Sequence, residues 1–123
     1  MNLKQFLTES KKLQVKDFLQ FAKEYLNLSD TPQIKIIDNP EFSTQNKTFG
    51  SFDLGDNTIC VQVAQRHPMD VYRTLAHELV HYKQRKDGKE MNGNDGSEIE
   101  NEANATAAIL LRQYSQRIPN HGY

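Results

Sequence analysis

The chain has 123 residues, a formal net charge of −1 and 37% hydrophobic residues. This length suits one domain, and the charge provides neither a basic stripe for nucleic acid nor a polybasic run for anionic lipid. The single cysteine, Cys60, excludes a disulfide within the chain and favours a reducing compartment. Neither a membrane-spanning run nor a secretion signal is visible. We therefore expect one cytoplasmic domain over residues 1–123 that binds neither nucleic acid nor membrane.

The first half of the chain predicts one helix followed by three strands. Residues 13–26 carry apolar side chains at helical spacing, which is typical of an amphipathic helix. Residues 33–37, 48–53 and 58–63 are rich in β-branched and aromatic residues and predict strands. Turn residues at 55–57 make the last two strands a hairpin.

The third predicted strand stands directly before the next helix. If it were an exposed edge strand, an extended peptide could add to it through main-chain hydrogen bonds. We therefore suspect a substrate-binding role for this strand, which consists of Thr58, Ile59, Cys60, Val61, Gln62 and Val63.

A helix predicted over residues 69–84 carries the most informative motif, His77-Glu78-Leu79-Val80-His81. Residues four apart lie on one face of a helix, so the imidazoles of His77 and His81 can bind one cation. Zinc accepts neutral imidazole nitrogen and prefers four ligands. Glu78 would lie beside the metal, where a general base takes a proton from the water that zinc activates.

The residues around the motif favour a buried helix. Leu75, Ala76, Leu79 and Val80 are apolar, as a buried metal-binding helix requires. The alternative is an ordinary amphipathic helix that carries two surface histidines, in a protein that acts through helical interactions.

A catalytic zinc site needs a third protein ligand, and the last predicted helix, residues 97–116, offers three glutamates. Glu100 continues the apolar face formed by Ala103, Ala107, Leu110, Leu111 and Tyr114. Burying an unpaired carboxylate is costly, and a metal is the obvious partner, so Glu100 is the predicted ligand. Glu98 and Glu102 fit an acidic first turn that complements the helix dipole, although a one-turn error would move the ligand role to Glu102.

Asn104 lies one turn beyond Glu100 on the same helix. Its side-chain oxygen could accept the free N–H of a ligand histidine and so fix the tautomer of that ring. Between the two helices, residues 86–96 are polar and glycine-rich, which predicts a mobile loop near the metal. A helix, a three-stranded sheet and two further helices together predict an α+β domain.

These residues resemble a known group of peptidases. The stretch Thr74–His81, followed by a glutamate on a later helix, resembles minimal zincins of the gluzincin type. The segment Glu100-Asn101-Glu102-Ala103-Asn104 resembles the Glu-x-Glu-Ala-Asn segment of ImmA/IrrE-type peptidases. In the wider group this segment is Glu-x-x-x-Asp with the first glutamate as the ligand, which implies Glu100 as the ligand and places Asn104 where the aspartate stands. Residues 66–73 and 96–100 are also similar to small metallopeptidase-like proteins encoded by tailed phages, which implies expression in a bacterial host.

The resemblance implies a zincin-like fold and zinc-dependent hydrolysis of peptide bonds in a peptide or protein substrate. One Zn²⁺ would be held by His77, His81 and Glu100, with Glu78 as the general base. The alternative is a zinc-binding structural or protein-interaction module that does not cleave its partner. No single residue is predicted to stabilise the oxyanion, for which the conceivable donors are His67, Tyr72, Tyr82, Tyr114, His121 and Tyr123.

Overall fold

A computed structural model of the chain describes residues 9–39, 41, 50–53, 55–88 and 97–117. Within these residues the secondary structure follows in the order α1 (Glu9–Tyr25), β1 (Gln33–Ile37), β2 (Gly50–Asp53), β3 (Thr58–Gln62), α2 (Pro68–Lys86) and α3 (Glu98–Arg117). The predicted α+β class is confirmed. Most of the predicted glycine-rich loop, residues 89–96, and the tail from 118 lie outside the described residues.

The three strands form one sheet in the order β1-β3-β2. The predicted hairpin is confirmed, because β2 pairs antiparallel with β3 in a register that places Phe52 opposite Ile59. β1 pairs parallel with the other side of β3, with Ile34 opposite Ile59. β3 is therefore the central strand.

This order corrects the predicted substrate edge. The prediction treated Thr58–Val63 as an exposed edge strand, but both edges of β3 are occupied by neighbouring strands. The backbone hydrogen-bonding groups of β3 are used within the sheet, and Val63 donates its N–H to Ile37 O at 2.8 Å. A peptide cannot add to this strand.

α2 is the central helix of the core. It packs on β2 and β3 and also contacts α1 and α3. Its predicted apolar residues are buried, among them Leu75 at 1% exposure and Leu79 at 0%. They join Phe18 of α1 and the inward residues of β3 in one hydrophobic cluster. The prediction of a single domain over residues 1–123 stays a prediction.

α3 packs on α2 through small residues. Ala103 and Ala107 are 0% and 2% exposed, as the predicted apolar face requires. The neighbouring Ala108 is exposed and does not belong to this face. Among the described helices, none combines the length and the apolarity that crossing a bilayer demands.

β2 approaches α2 closely where Gly50 faces Thr74. A Cβ on Gly50 would lie 2.6 Å from Thr74 Cγ2 and 3.4 Å from Glu78 Cγ. Thr74 cannot rotate away freely, since its hydroxyl donates to Asp70 O at 3.1 Å and accepts from Arg66 Nη2 at 2.7 Å. The absence of a side chain at Gly50 therefore sets the spacing between β2 and the motif helix.

Replacing Gly50 with alanine should lower the free energy of unfolding by about 1–3 kcal/mol, the usual cost of overpacking. Denaturant unfolding measures this effect. Adding Thr74→Ser should restore much of the loss, because serine keeps the hydroxyl and removes the clashing methyl. Gly55→Ala is the matched control, since its added Cβ would meet nothing nearer than Asp53 Oδ1 at 3.4 Å. Equal effects of the two alanine substitutions would contradict the contact as the cause.

Candidate metal centre

Three side chains predicted from the sequence meet between α2 and α3. The imidazoles of His77 and His81 and the carboxylate of Glu100 each offer one ligand atom, all within 4.8 Å of one another. The two Nε2 atoms are 3.0 Å apart. Glu100 places Oε1 at 3.0 Å from His81 Nε2 and Oε2 at 3.3 Å from His77 Nε2. One carboxylate thus spans both rings, and the three groups face a common point.

The local sequence explains how each side chain arrives there. His77 and His81 lie one turn apart on α2, so their rings emerge on the same face. Glu100 lies in the first turn of α3, whose start is capped by Ser97: the Ser97 hydroxyl accepts from Glu100 N at 3.2 Å. In a capping box the glutamate side chain would fold back to the cap. Here it extends to the histidines instead.

Burial shifts the proton affinities of two residues at this site. It lowers the pKa of His77, and the neighbouring His81 lowers it further, against opposing effects of Glu100 and a hydrogen bond with Asn104. Burial also raises the pKa of Glu78, and Glu100 adds to this while His81 opposes it. The first shift keeps an imidazole neutral and available to a metal, and the second makes a carboxylate a stronger base.

The other two glutamates of the first turns of α3 lie elsewhere. Glu98 is exposed. Glu102 accepts a hydrogen bond from Gln84 Nε2 at 2.8 Å. Of the three candidates, the structure brings only Glu100 to the two histidines among the described residues.

Two amides flank the histidines. Asn104 raises the pKa of His77 through a side-chain hydrogen bond, and its predicted role in fixing the tautomer of a ligand histidine stays a prediction. Gln84 is a site residue that was not predicted from the sequence, and its Oε1 lies 2.8 Å from His81 Nδ1. The available signal was its spacing, since Gln84 is three residues after His81 and seven after His77 and so shares their face.

The conceivable oxyanion donors are engaged elsewhere where the structure describes them. Tyr82 donates its hydroxyl to Asp30 and Tyr114 to Asp17, each at 3.0 Å. His67 accepts from Met69 N at the start of α2. Tyr72 is buried and stacks on Phe18. His121 and Tyr123 lie outside the described residues.

Comparison with known proteins agrees with this geometry. The model of the family Peptidase_M78, described as the IrrE N-terminal-like domain, matches residues 30–116, from before β1 to near the end of α3. No curated protein and no solved structure matches the chain. The family match includes every residue of the candidate metal centre and supports a metallopeptidase-like domain. The chain therefore belongs to the Peptidase_M78 family of IrrE N-terminal-like domains.

Proposed function

We propose that this protein is a zinc-dependent endopeptidase that hydrolyses peptide bonds with Glu78 as the general base. The observation that carries the proposal is the convergence of His77, His81 and Glu100 within 4.8 Å, with Glu78 on the same helix as the histidines. Two imidazoles and one carboxylate are a donor set of catalytic zinc sites, which leave one position open. The proposal extends over residues 1–123 as one domain.

The side chains present fit a zinc ion. Each ring offers Nε2 to the same point, and the carboxylate offers one oxygen beside each ring. Their partial burial limits competition from bulk water. When bound, zinc supplies Lewis acidity, which lowers the pKa of water to about 7 and polarises a carbonyl oxygen.

Glu78 would carry the proton through the reaction. Its carboxylate takes a proton from the attacking water, whose oxygen forms the new bond to the scissile carbon. As the carbon–nitrogen bond breaks, Glu78 donates that proton to the leaving amine nitrogen. Burial raises the pKa of Glu78, which favours both proton transfers. The carboxylate becomes a stronger base, and a larger fraction of the side chain can be protonated near neutral pH.

β2 replaces β3 as the proposed substrate strand. It lies at one edge of the described sheet, and Gly50 at its start lies against α2 beside Glu78. An extended peptide that added along Ser51–Asp53 would use main-chain hydrogen bonds, which are insensitive to side-chain identity. This arrangement suits a peptide or unfolded protein segment as the substrate.

One observation favours a second candidate, a zinc-binding interaction module without catalysis. The hydroxyls of Tyr82 and Tyr114 and the imidazole of His67 all have partners away from the metal centre. An enzyme of this kind gains from a second donor to the oxyanion. If the residues outside the described ranges supply no such donor, the candidate metal centre would hold zinc and a bound peptide without cleaving it.

A cleavage assay separates the two. Zinc-loaded protein is incubated with a panel of unfolded proteins, and fragments are identified by mass spectrometry. We expect internal cleavage that a chelator abolishes and added zinc restores. Stoichiometric zinc in a protein that leaves the whole panel intact would overturn the peptidase proposal in favour of the interaction module.

A further inference from the structure

A buried glutamine connects the two helices of the candidate metal centre. Gln84 is only 2% exposed, near the end of α2. Its Oε1 lies 2.8 Å from His81 Nδ1. Its Nε2 donates to Ile99 O at 3.1 Å and to Glu102 Oε1 at 2.8 Å, both on α3. A buried amide without partners is costly, and every polar atom of this one is used.

The partners on α3 determine which way the amide faces. A backbone carbonyl and a carboxylate are acceptors only, so both must receive protons from the NH₂ group of Gln84. The carbonyl oxygen of the amide then has to face His81. An oxygen accepts, so His81 Nδ1 must carry the proton and donate it to Gln84 Oε1.

This assignment leaves His81 Nε2 as the ligand atom. In a neutral imidazole with a proton on Nδ1, the lone pair resides on Nε2. Nε2 is the atom that faces His77 Nε2 and Glu100 Oε1, each at 3.0 Å. In the other tautomer, Nε2 would carry a proton directed at the same point and would have to lose it before a metal could bind.

We infer that Gln84 is a positioning residue for the metal centre, which selects the Nδ1–H tautomer of His81 and ties it to α3. The inference rests on the proposed zinc function. The same amide holds Ile99, the residue directly before Glu100, so one side chain sets both the ring of one ligand and the backbone beside another. Partners of this kind commonly change metal affinity by about 10–100-fold.

The first test replaces Gln84 with methionine, which has a similar volume and no amide. Nitrogen-15 NMR of the metal-free protein at about pH 8, above the usual histidine pKa of about 6.5, reports which ring nitrogen is protonated. We expect Nδ1–H at His81 in the unsubstituted protein. In Q84M we expect a shift to Nε2–H, because Glu100 Oε1 at 3.0 Å becomes the strongest remaining acceptor.

Zinc affinity provides the second readout. Competition with a chromophoric chelator should show a loss of about 10–100-fold in Q84M. Gln62→Met is the matched control, because Gln62 is 1% exposed and bonds to Asn39 and Ala64 rather than to the metal centre. Q62M should keep both the tautomer and the zinc affinity, which separates this role from the general cost of losing a buried amide.

A rescue variant addresses folding. The double variant Q84E/E102Q exchanges the two side chains, so that the carboxylate now on α2 accepts from His81 and the amide now on α3 donates to that carboxylate. Ile99 O loses its donor in this variant, so the exchange restores only the contact that selects the tautomer of His81. We expect this variant to keep Nδ1–H at His81 and to bind zinc more tightly than Q84M. If Q84M does not fold, the double variant alone tests whether the side chain at position 84 selects the tautomer of His81. The Nε2–H tautomer in a folded Q84E/E102Q protein would overturn the inference.

The role of Gln84 and the proposed peptidase activity can fail separately. Unchanged tautomer and zinc affinity in Q84M would overturn the positioning role, whatever the protein cleaves. A protein that binds zinc with the expected tautomer but hydrolyses no peptide would instead remove the activity and retain the role of Gln84.

Discussion

Glu78→Gln is expected to reduce peptide hydrolysis by roughly two to four orders of magnitude, the usual contribution of a general acid–base. Glutamine has nearly the same shape but cannot take a proton from water or return one to the leaving amine. The zinc content should stay at the level of the unsubstituted protein, because the proposed ligands are His77, His81 and Glu100. Cleavage rates and metal analysis on the same preparation measure both outcomes.

The same substitution should stabilise the metal-free fold at neutral pH. Burial raises the folded-state pKa of Glu78 above its ordinary value of 4.5, so the ionised carboxylate is disfavoured in the folded protein. Its contribution to stability is complete below that ordinary value and is lost as the pH rises through the folded pKa. Denaturant unfolding with a chelator present should therefore favour E78Q at pH 7 and show little difference at acid pH.

The exposed Glu98 supplies the control for both measurements. Glu98→Gln makes the same chemical change at an exposed position and should alter neither cleavage nor stability appreciably. Full peptidase activity in E78Q, with zinc bound, would remove Glu78 from the chemistry. A loss of zinc in E78Q would assign this carboxylate to the metal instead.

The candidate metal centre could be predicted from the sequence because both of its helices have regular spacing. Four residues separate His77 from His81, and helical geometry alone places them on one face. Glu100 was predicted as the third ligand because it continues the apolar face of α3, and the structure buries Ala103 and Leu110 of that face completely. In each case the decisive information lies within one turn or two of a single helix.

The order of the strands could not be predicted in the same way, because pairing between β1 and β3 is not local. The turn at Gly55 revealed the β2–β3 hairpin, but some twenty residues separate β1 from β3 and no local pattern fixes where β1 pairs. The structure buries Thr58, Ile59, Val61 and Gln62 alike, as a central strand requires. The sequence does not show this, because Thr58 and Gln62 are polar and only the short run Ile59–Val61 is apolar.

Gln84 was missed for a different physical reason. A glutamine on a helix is usually exposed, and spacing alone does not distinguish a solvated amide from one that orients a ligand. Its importance becomes visible only when Ile99 O and Glu102 of the other helix are within hydrogen-bond distance. The role of Gln84 therefore depends on contacts between two helices, which the spacing of residues within one helix cannot predict.

The second large effect is expected at Glu100. Glu100→Gln should weaken zinc binding by more than the roughly 10–100-fold that loss of an outer partner costs, since it replaces a charged ligand with a neutral amide. In E100Q only His77 and His81 would remain as strong protein ligands, whereas a catalytic zinc site uses three. Chelator competition measures the affinity, and peptide cleavage should fall with zinc occupancy.

Two neighbouring glutamates test the assignment within the same helix. Glu102→Gln changes the residue two positions later, which contacts Gln84 rather than the histidines, and should cost much less zinc affinity than E100Q. Glu98→Gln should cost none, because Glu98 is exposed. Retention of zinc by E100Q together with its loss from E102Q would transfer the third ligand position to Glu102.

Thermal unfolding distinguishes a lost ligand from a damaged fold. A ligand that binds only the folded state stabilises it by RT ln(1 + [L]/Kd), so zinc should raise the melting temperature of the unsubstituted protein by an amount that grows with its affinity. In metal-free samples at about pH 8, above the usual histidine pKa of about 6.5, E100Q should melt close to the unsubstituted protein, because the carboxylate there faces two imidazoles and no metal ion. Added zinc should then separate the two curves, and the size of that separation measures the contribution of Glu100 to the metal centre.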